Sequence, residues 1–206
     1  MRVLILMGSF RHNGNTATFL KPFIEKLKRM DVEVEYITLT DKNISPCDAC
    51  WTCQDVFDGY GCPKNDYMQH IFKEVLKADC LILATPIYTW YCTPPMKAVL
   101  DRFYGMNKYY GREPGPCLWE GKKIGIIATC GYELEYGISP FEDGIKRLCE
   151  HSHLEYIGKI GIRDYDNMIV FRNGEAKKKA VDFAKVIIDS CTKQYIVNLI
   201  NNILKE

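Results

Sequence analysis

Apolar and polar residues alternate along this chain in two periods, and the two periods interleave from one end to the other. Val3 to Met7 is an unbroken apolar run, so residues 2–7 read as a strand buried on both faces. Residues 16–30 place Phe19, Leu20, Phe23, Ile24 and Leu27 on one helical face. Val32 to Ile37 changes side every residue, the pattern of a strand nearer a sheet edge. A helix is predicted over 66–77 with Asp66 as its N-cap, then a buried strand from Cys80 to Ala84. Pro94-Pro95 opens a helix reaching about Tyr104, because proline suits a first turn. Ile124 to Ala128 is another buried strand, 139–151 a helix and Tyr156 to Ile162 the last strand. From about residue 173 the pattern is helical, with a stripe formed by Ala180, Val181, Ala184, Ile187, Ile188, Cys191, Tyr195 and Leu199.

Five strands interleaved with helices predict an α/β fold: one five-stranded parallel sheet with helices on both faces. Ligands of such sheets sit beyond the carboxyl ends of the strands. The loops there are 8–16, 40–65, 85–93 and 129–138, which are also the segments of unusual composition. No linker or repeat divides the chain, so residues 1–206 read as a single domain. The tail, 191–206, carries more apolar residues than a solvent-facing helix needs, and is expected as an extra helix that covers an interface or packs on the core.

Composition narrows the function classes. At 47% hydrophobic and 26% charged residues with a net charge of +1, the chain offers no electrostatic reason for nucleic acid or a membrane surface as partner. No apolar run approaches the roughly 20 residues that span a bilayer, and the apolar stretch after Arg2 is too short for an export signal, so a cytoplasmic protein is expected. In that setting ten cysteines read as thiols, metal ligands or redox groups. Cys80, Cys92, Cys117, Cys130, Cys149 and Cys191 are scattered and are expected to pack as small apolar residues.

The chemistry concentrates where the first strand ends. Gly8-Ser9-Phe10-Arg11-His12-Asn13-Gly14-Asn15-Thr16 runs from a buried strand into a helix, whose unpaired amides and partial positive charge favour a phosphate. Arg11 adds a charge-assisted donor; Ser9, Asn13, Asn15 and Thr16 add neutral hydrogen bonds, and Gly14 permits close backbone approach. Neither G-K-[ST] nor G-x-G-x-x-G is present, which disfavours a nucleoside triphosphate or a dinucleotide. An ordinary polar strand-to-helix turn draws on the same residue types. Two further strand ends, Thr85-Pro86-Ile87-Tyr88-Thr89-Trp90-Tyr91-Cys92-Thr93 and Thr129-Cys130-Gly131-Tyr132, bring aromatics and small hydroxyls suited to a flat, partly apolar ring. Those aromatics could equally seal the top of the sheet. No His/Asp pair or pair of carboxylates stands out as an acid–base constellation. His12 alone among the four histidines falls in the phosphate loop.

The cysteines Cys47, Cys50, Cys53 and Cys62 give C-x2-C-x2-C-x8-C with Pro63 after the last. Such a run suits the corners of a four-iron, four-sulfide cluster, whereas zinc usually draws two separated pairs. Unligated thiols or a redox disulfide are the alternatives. Together with G-S-x-R-x-x-G-N-T at 8–16, T-P-I-Y at 85–88 and M-K-x-x-x-D-R at 96–102, this run makes residues 1 to about 135 resemble the NAD(P)H-dependent FMN reductases among flavodoxin-like proteins, and within them the iron–sulfur flavoprotein-like branch. In that branch the last cysteine gap is shorter than the eight residues here.

The resemblance implies a flavodoxin-like fold, bound FMN and a homodimer. It places the FMN phosphate on Ser9, Arg11, Asn13, Asn15 and Thr16, and the isoalloxazine on Pro86 to Trp90 and Cys130 to Tyr132. The implied activity is an oxidoreductase that takes hydride from NAD(P)H and passes it to a flavin, quinone or similar small acceptor, or to a redox protein, with the chemistry carried by the flavin. The alternatives are an FMN/iron–sulfur electron carrier and a non-enzymatic flavin-binding redox sensor. Carriers of the flavodoxin type are strongly acidic, unlike this near-neutral chain.

Overall fold

In the computed structural model, which describes residues 1–165 and 168–203, the buried strand after Met1 lies second from one edge of a five-stranded sheet. The strands are β1 (Arg2–Met7), β2 (Glu33–Thr38), β3 (Cys80–Pro86), β4 (Lys123–Cys130) and β5 (Glu155–Arg163). The helices are α1 (Asn15–Arg29), α2 (Met68–Lys77), α3 (Pro94–Arg102), α4 (Leu134–His151) and α5 (Gly174–Ile203). All strand pairs are parallel, in the order β2-β1-β3-β4-β5, which is the flavodoxin-like order. The period-two strand at 33–38 does lie at an edge, as its polarity predicts.

Alternation along β1 divides the core in two. Leu4 and Leu6 face a layer with Met68, Phe72, Val99 and Phe141, contributed by α2, α3 and α4. Val3, Ile5 and Met7 face Phe19, Phe23, Ala180 and Phe183 of α1 and α5. Phe23 and Phe183 lie 6.0 Å apart by ring centroid, so the two helices of that face close on each other. Gly125 lets Phe183 approach β4, since a Cβ there would meet the ring at 3.1 Å.

Several boundaries differ from the sequence expectation for identifiable reasons. The fourth helix begins at Leu134, not at 139, and Pro140 is an interior residue. Packing carries that first stretch: Leu134 and Ile138 press on β5 at Gly161, where a Cβ would meet Ile138 at 2.6 Å. The helix after Pro94 ends at Arg102 and continues as a tighter 3-10 turn over Phe103–Met106. The tail is not a separate extra helix, because 191–203 continues α5, and residues 204–206 lie outside the described residues. Cys191 in that stretch is buried while Tyr195 is 70% exposed. Of the scattered cysteines, five are buried as expected and Cys117 is half-buried, donating its thiol to Asn107 Oδ1 and Ser152 O.

Candidate functional site

Because the sheet is parallel, the loops after β1, β3, β4 and β5 gather at one edge, and hydrogen bonds between loops far apart in sequence fix their positions. Gly8 N–H donates to Ala84 O at 2.8 Å and Thr93 Oγ1 donates to Gly8 O at 2.7 Å, which joins the first loop to the second. A Cβ at Gly8 would stand 2.7 Å from that same hydroxyl, so only glycine permits the junction. Ile87 N–H donates to Thr129 O at 2.8 Å, joining the second loop to the third. Thr16 and Thr129 share a hydroxyl–hydroxyl bond of 2.8 Å, and Asn15 Nδ2 donates to Asp164 Oδ2 at 2.5 Å, so the first loop is tied to the third and to the end of β5.

They enclose a cavity of about 240 Å³ lined by Ser9, Arg11, Asn15, Thr16, Pro86, Ile87, Tyr88, Thr129, Cys130, Gly131 and Asp164. No side chain caps α1, whose N-cap residue is Gly14, so the amides of its first turn remain available toward that cavity. Gly14 itself serves the turn that presents Arg11: its N–H donates to Arg11 O at 2.9 Å, and a Cβ would strike Arg11 Cβ at 2.7 Å. Ser9 Oγ accepts the Arg11 N–H at 3.1 Å, which sets the turn's entry. Burial pushes the Cys130 thiol up, so it lines the cavity uncharged. A cradle of uncapped amides, hydroxyls and one guanidinium suits the phosphate of a mononucleotide, and Pro86 to Tyr88 with Cys130 and Gly131 offer a ring-edge wall.

Of the sequence-selected residues, Ser9, Arg11, Asn15, Thr16, Pro86, Ile87, Tyr88, Cys130 and Gly131 come together here, while Asn13, Gly14, Thr89, Trp90 and Tyr132 are not among the lining residues. His12 turns away and pairs with Asp41 at 3.0 Å. Thr89 and Trp90 form the two-residue turn of a miniature hairpin closed by Tyr88 and Tyr91, both at positive φ (49° and 60°). That turn stacks Trp90 on Tyr132, with centroids 5.6 Å apart and planes 12° from parallel, beside the edge of Tyr136. Thr129, the first residue of the third loop picked out from the sequence, also lines the cavity, whereas Asp164 was missed from the sequence. Asp164 directly follows the last strand, and its place at a strand's carboxyl end was the available signal.

A second feature follows β2, where Cys47, Cys50, Cys53 and Cys62 all line one small cavity of about 20 Å³. The eight-residue gap is taken up by a turn at Gly61 (φ +65°), which returns Cys62 to the other three. Ala49 (φ 55°) and Trp51 (φ 62°) bend the chain on either side of Cys50. Three anchors fix the loop: Asp66, Gln69 and Gln54. Asp66 accepts from Ser45 and Met68 N–H and takes the Arg102 guanidinium at 2.5 and 2.7 Å. The helix starts at Met68 with Tyr67 as its N-cap, not at 66 with Asp66 in that position as the sequence led one to expect; Asp66 stands one residue earlier, where it accepts the Met68 N–H and pairs with Arg102. Burial opposes charge on Asp66, yet the Ser45 amide and Arg102 hold its carboxyl below the usual range. Arg102 also donates to Cys62 Sγ at 3.2 Å. Burial pushes the Cys53 thiol up against the opposing pull of Gln54 and Lys108. The free space is that of about one water molecule. Among the described residues no three Cys, His, Asp or Glu side chains gather tightly enough for a single metal ion, which disfavours tetrahedral zinc.

Comparison with known proteins adds independent weight. A family model described as NADPH-dependent FMN reductase matches residues 1–137. An iron–sulfur flavoprotein of Methanocaldococcus jannaschii is 32% identical over 102 residues, 50% of this chain and 51% of that protein. One of Archaeoglobus fulgidus is 28% identical over 172 residues, 75% of this chain and 77% of its own length. The chain thus spans about half the length of the first of these relatives. Among solved structures, an FMN-dependent NADH-azoreductase from Bacillus anthracis in complex with FMN superposes with a TM-score of 0.67 at 15% identity, over 91% of this chain and 99% of that one. At that identity the likeness speaks for the fold. Among the described residues no helix is long and apolar enough to cross a membrane.

Proposed function

This chain belongs to the NADPH-dependent FMN reductase family, and from that membership we propose that it holds FMN at the carboxyl edge of its sheet and works as an NAD(P)H oxidoreductase. One observation carries the reading: an uncapped helix N-terminus and Arg11 share a cavity with two ring-edge loops, all bonded into one rim. Arg11, Ser9, Asn15, Thr16 and the α1 amides would hold the phosphate, with Asn13 and Gly14 shaping the loop around it. Pro86, Ile87, Tyr88, Cys130 and Gly131 would bound the ring, and Thr89, Trp90 and Tyr132 would form the aromatic border where a planar acceptor meets it. When bound, FMN supplies hydride acceptance from the nicotinamide and onward transfer to the acceptor. The chain's part is to bind, to orient and to keep water from the ring; no side chain is required to move a proton. A quinone, a flavin or another flat conjugated compound fits the acceptor role, and azoreductase among the relatives' names is in keeping with that class. We take the whole chain as one domain, working as a homodimer in the cytoplasm.

The test is direct. Protein purified without added flavin should show two flavin absorption bands or acquire them with FMN, and should then oxidise NADPH with a quinone present. A protein that takes up no FMN, or that binds it away from Arg11, sinks the reading. FMN binding without turnover on any acceptor would move the chain to the carrier or sensor class.

A second reading is favoured by one specific observation, the convergence of all four clustered cysteines on a single cavity. Four thiols beside two buried cations are a donor set that fits an iron–sulfur cluster in kind. The space between them must widen to take one, and Cys47 and Cys50 are exposed, so widening disturbs little packing. In this reading the chain is an iron–sulfur flavoprotein that also passes single electrons to a redox protein. Iron and labile-sulfide assays on anaerobically prepared protein decide it, and absence of both removes the cluster.

A further inference from the structure

Lys108 follows the 3-10 turn after α3 and is 0% exposed. Its ammonium donates to Cys53 O and to Tyr60 O, each at 2.8 Å, and among the described residues it forms no ion pair. Taking an ammonium out of water costs several kcal/mol, and two carbonyl dipoles return only part of that. The charges around the same cysteine cavity otherwise cancel. Arg102 is met bidentately by Asp66, and Lys64 is met by Asp48 at 2.9 Å. The Lys108 charge is held behind that cavity, against the backbone carbonyl of Cys53, which lines it, and the carboxylate whose charge reaches Lys108, Asp58, is exposed and forms no ion pair with it.

We propose that Lys108 is the counter-charge of an anionic occupant of the cysteine cavity, and that it sets the reduction potential of a thiolate-bound iron–sulfur cluster there. The proposal rests on the second reading above. A cluster held by four thiolates is negatively charged and gains a further negative charge on reduction, so a fixed cation beside it favours the reduced form. Lys108 is a positioning residue in this account: it touches a ligand's carbonyl and acts through charge. The competing role is a mechanical clasp that holds the Cys53 and Tyr60 carbonyls together and depends on hydrogen bonds alone.

Charge and hydrogen bonding separate with four proteins: wild type, Lys108→Arg, Lys108→Gln and Lys108→Met. Arginine keeps both properties, glutamine keeps a donor without charge, and methionine keeps neither. Each full-length protein is reconstituted anaerobically with ferrous iron and sulfide and assayed for iron, sulfide and FMN, then titrated redox-metrically with paramagnetic resonance detection. At the wild-type midpoint, Lys108→Gln and Lys108→Met should show a reduced-to-oxidised ratio lowered about tenfold, which is about 59 mV for one electron. Lys108→Arg should match wild type. Neutral variants that keep FMN but lose iron, while arginine retains it, also support the counter-charge. Retained FMN marks a folded chain; if methionine abolishes it, glutamine alone decides. A wild-type midpoint in Lys108→Gln assigns the clasp and overturns the proposal. Wild-type protein that takes up no iron overturns the cluster reading itself, a result visible before any midpoint is measured.

Discussion

Arg11 is exposed and, among the described residues, its guanidinium has no partner, so its replacement costs the scaffold little. Arg11→Ala should weaken FMN retention by about tenfold or more, the worth of a charge-assisted phosphate contact, with a melting temperature close to wild type. Equal loss in both measurements would make Arg11 part of the scaffold. Asp66 is the opposite case. Its carboxylate is buried against Arg102 and serves two backbone amides, so Asp66→Asn leaves an uncompensated guanidinium and should cost about 3–5 kcal/mol by denaturant unfolding. Such residue-level roles were partly legible. Ser9, Arg11 and Thr16 announce themselves because a polar run follows a buried strand. Asp164 lies 149 positions from the Asn15 it binds, and Lys108 sits 55 positions from Cys53. Nothing local distinguishes either from an ordinary surface charge.

At the scale of elements, α1 shows how its ends were made. Val32 N–H donates to Leu27 O and Asp31 N–H to Lys28 O, both at 3.2 Å, closing the helix by the double bond pattern that needs a left-handed residue. Asp31 occupies that position at φ 55°. Asp31→Gly should therefore stabilise the chain by about 1 kcal/mol, raising the melting temperature by about 2–4 °C without changing FMN affinity. A lower melting temperature would mean that the aspartate side chain contributes more than its backbone costs. The core-facing strands and helices were readable because period and burial agree in them. The first turn of α4 was not, since Pro140 reads as a starting residue and only the packing of Leu134 and Ile138 on Gly161 shows that the helix begins earlier. The hairpin turn at Thr89-Trp90 was equally hidden: neither residue favours positive φ, and the conformation persists because the surrounding loops hold it.

For the molecule as a whole, acid is the condition its electrostatics foretell. Lys77 and Arg2 hold Glu74 below the usual carboxylate range, Arg102 and the Ser45 amide do so for Asp66, and Lys159, Lys146 and Tyr156 do so for Glu142 against the effect of burial. Each folded value lies below the unfolded one, so the stability they confer is full above the ordinary carboxylate range and is lost as pH falls through the folded values. Thermal unfolding should hold level down to about pH 5 and decline steeply below about pH 4, and an unchanged midpoint at pH 3 would contradict these pairings. Hydrophobic period by itself determined the strand count, the parallel sheet and the two-sided layering, because a buried strand must be apolar on both faces whatever its neighbours. The polar loop after β1 likewise marked, from its residue types alone, the place where the proposed phosphate site would lie. Tertiary structure alone decided the strand order, the locking of four loops into one rim, the convergence of Cys62 on the other three cysteines, and the burial of Lys108 beside them. Those facts depend on which distant segments share space, and burial and charge balance take their values only once the chain has closed on itself.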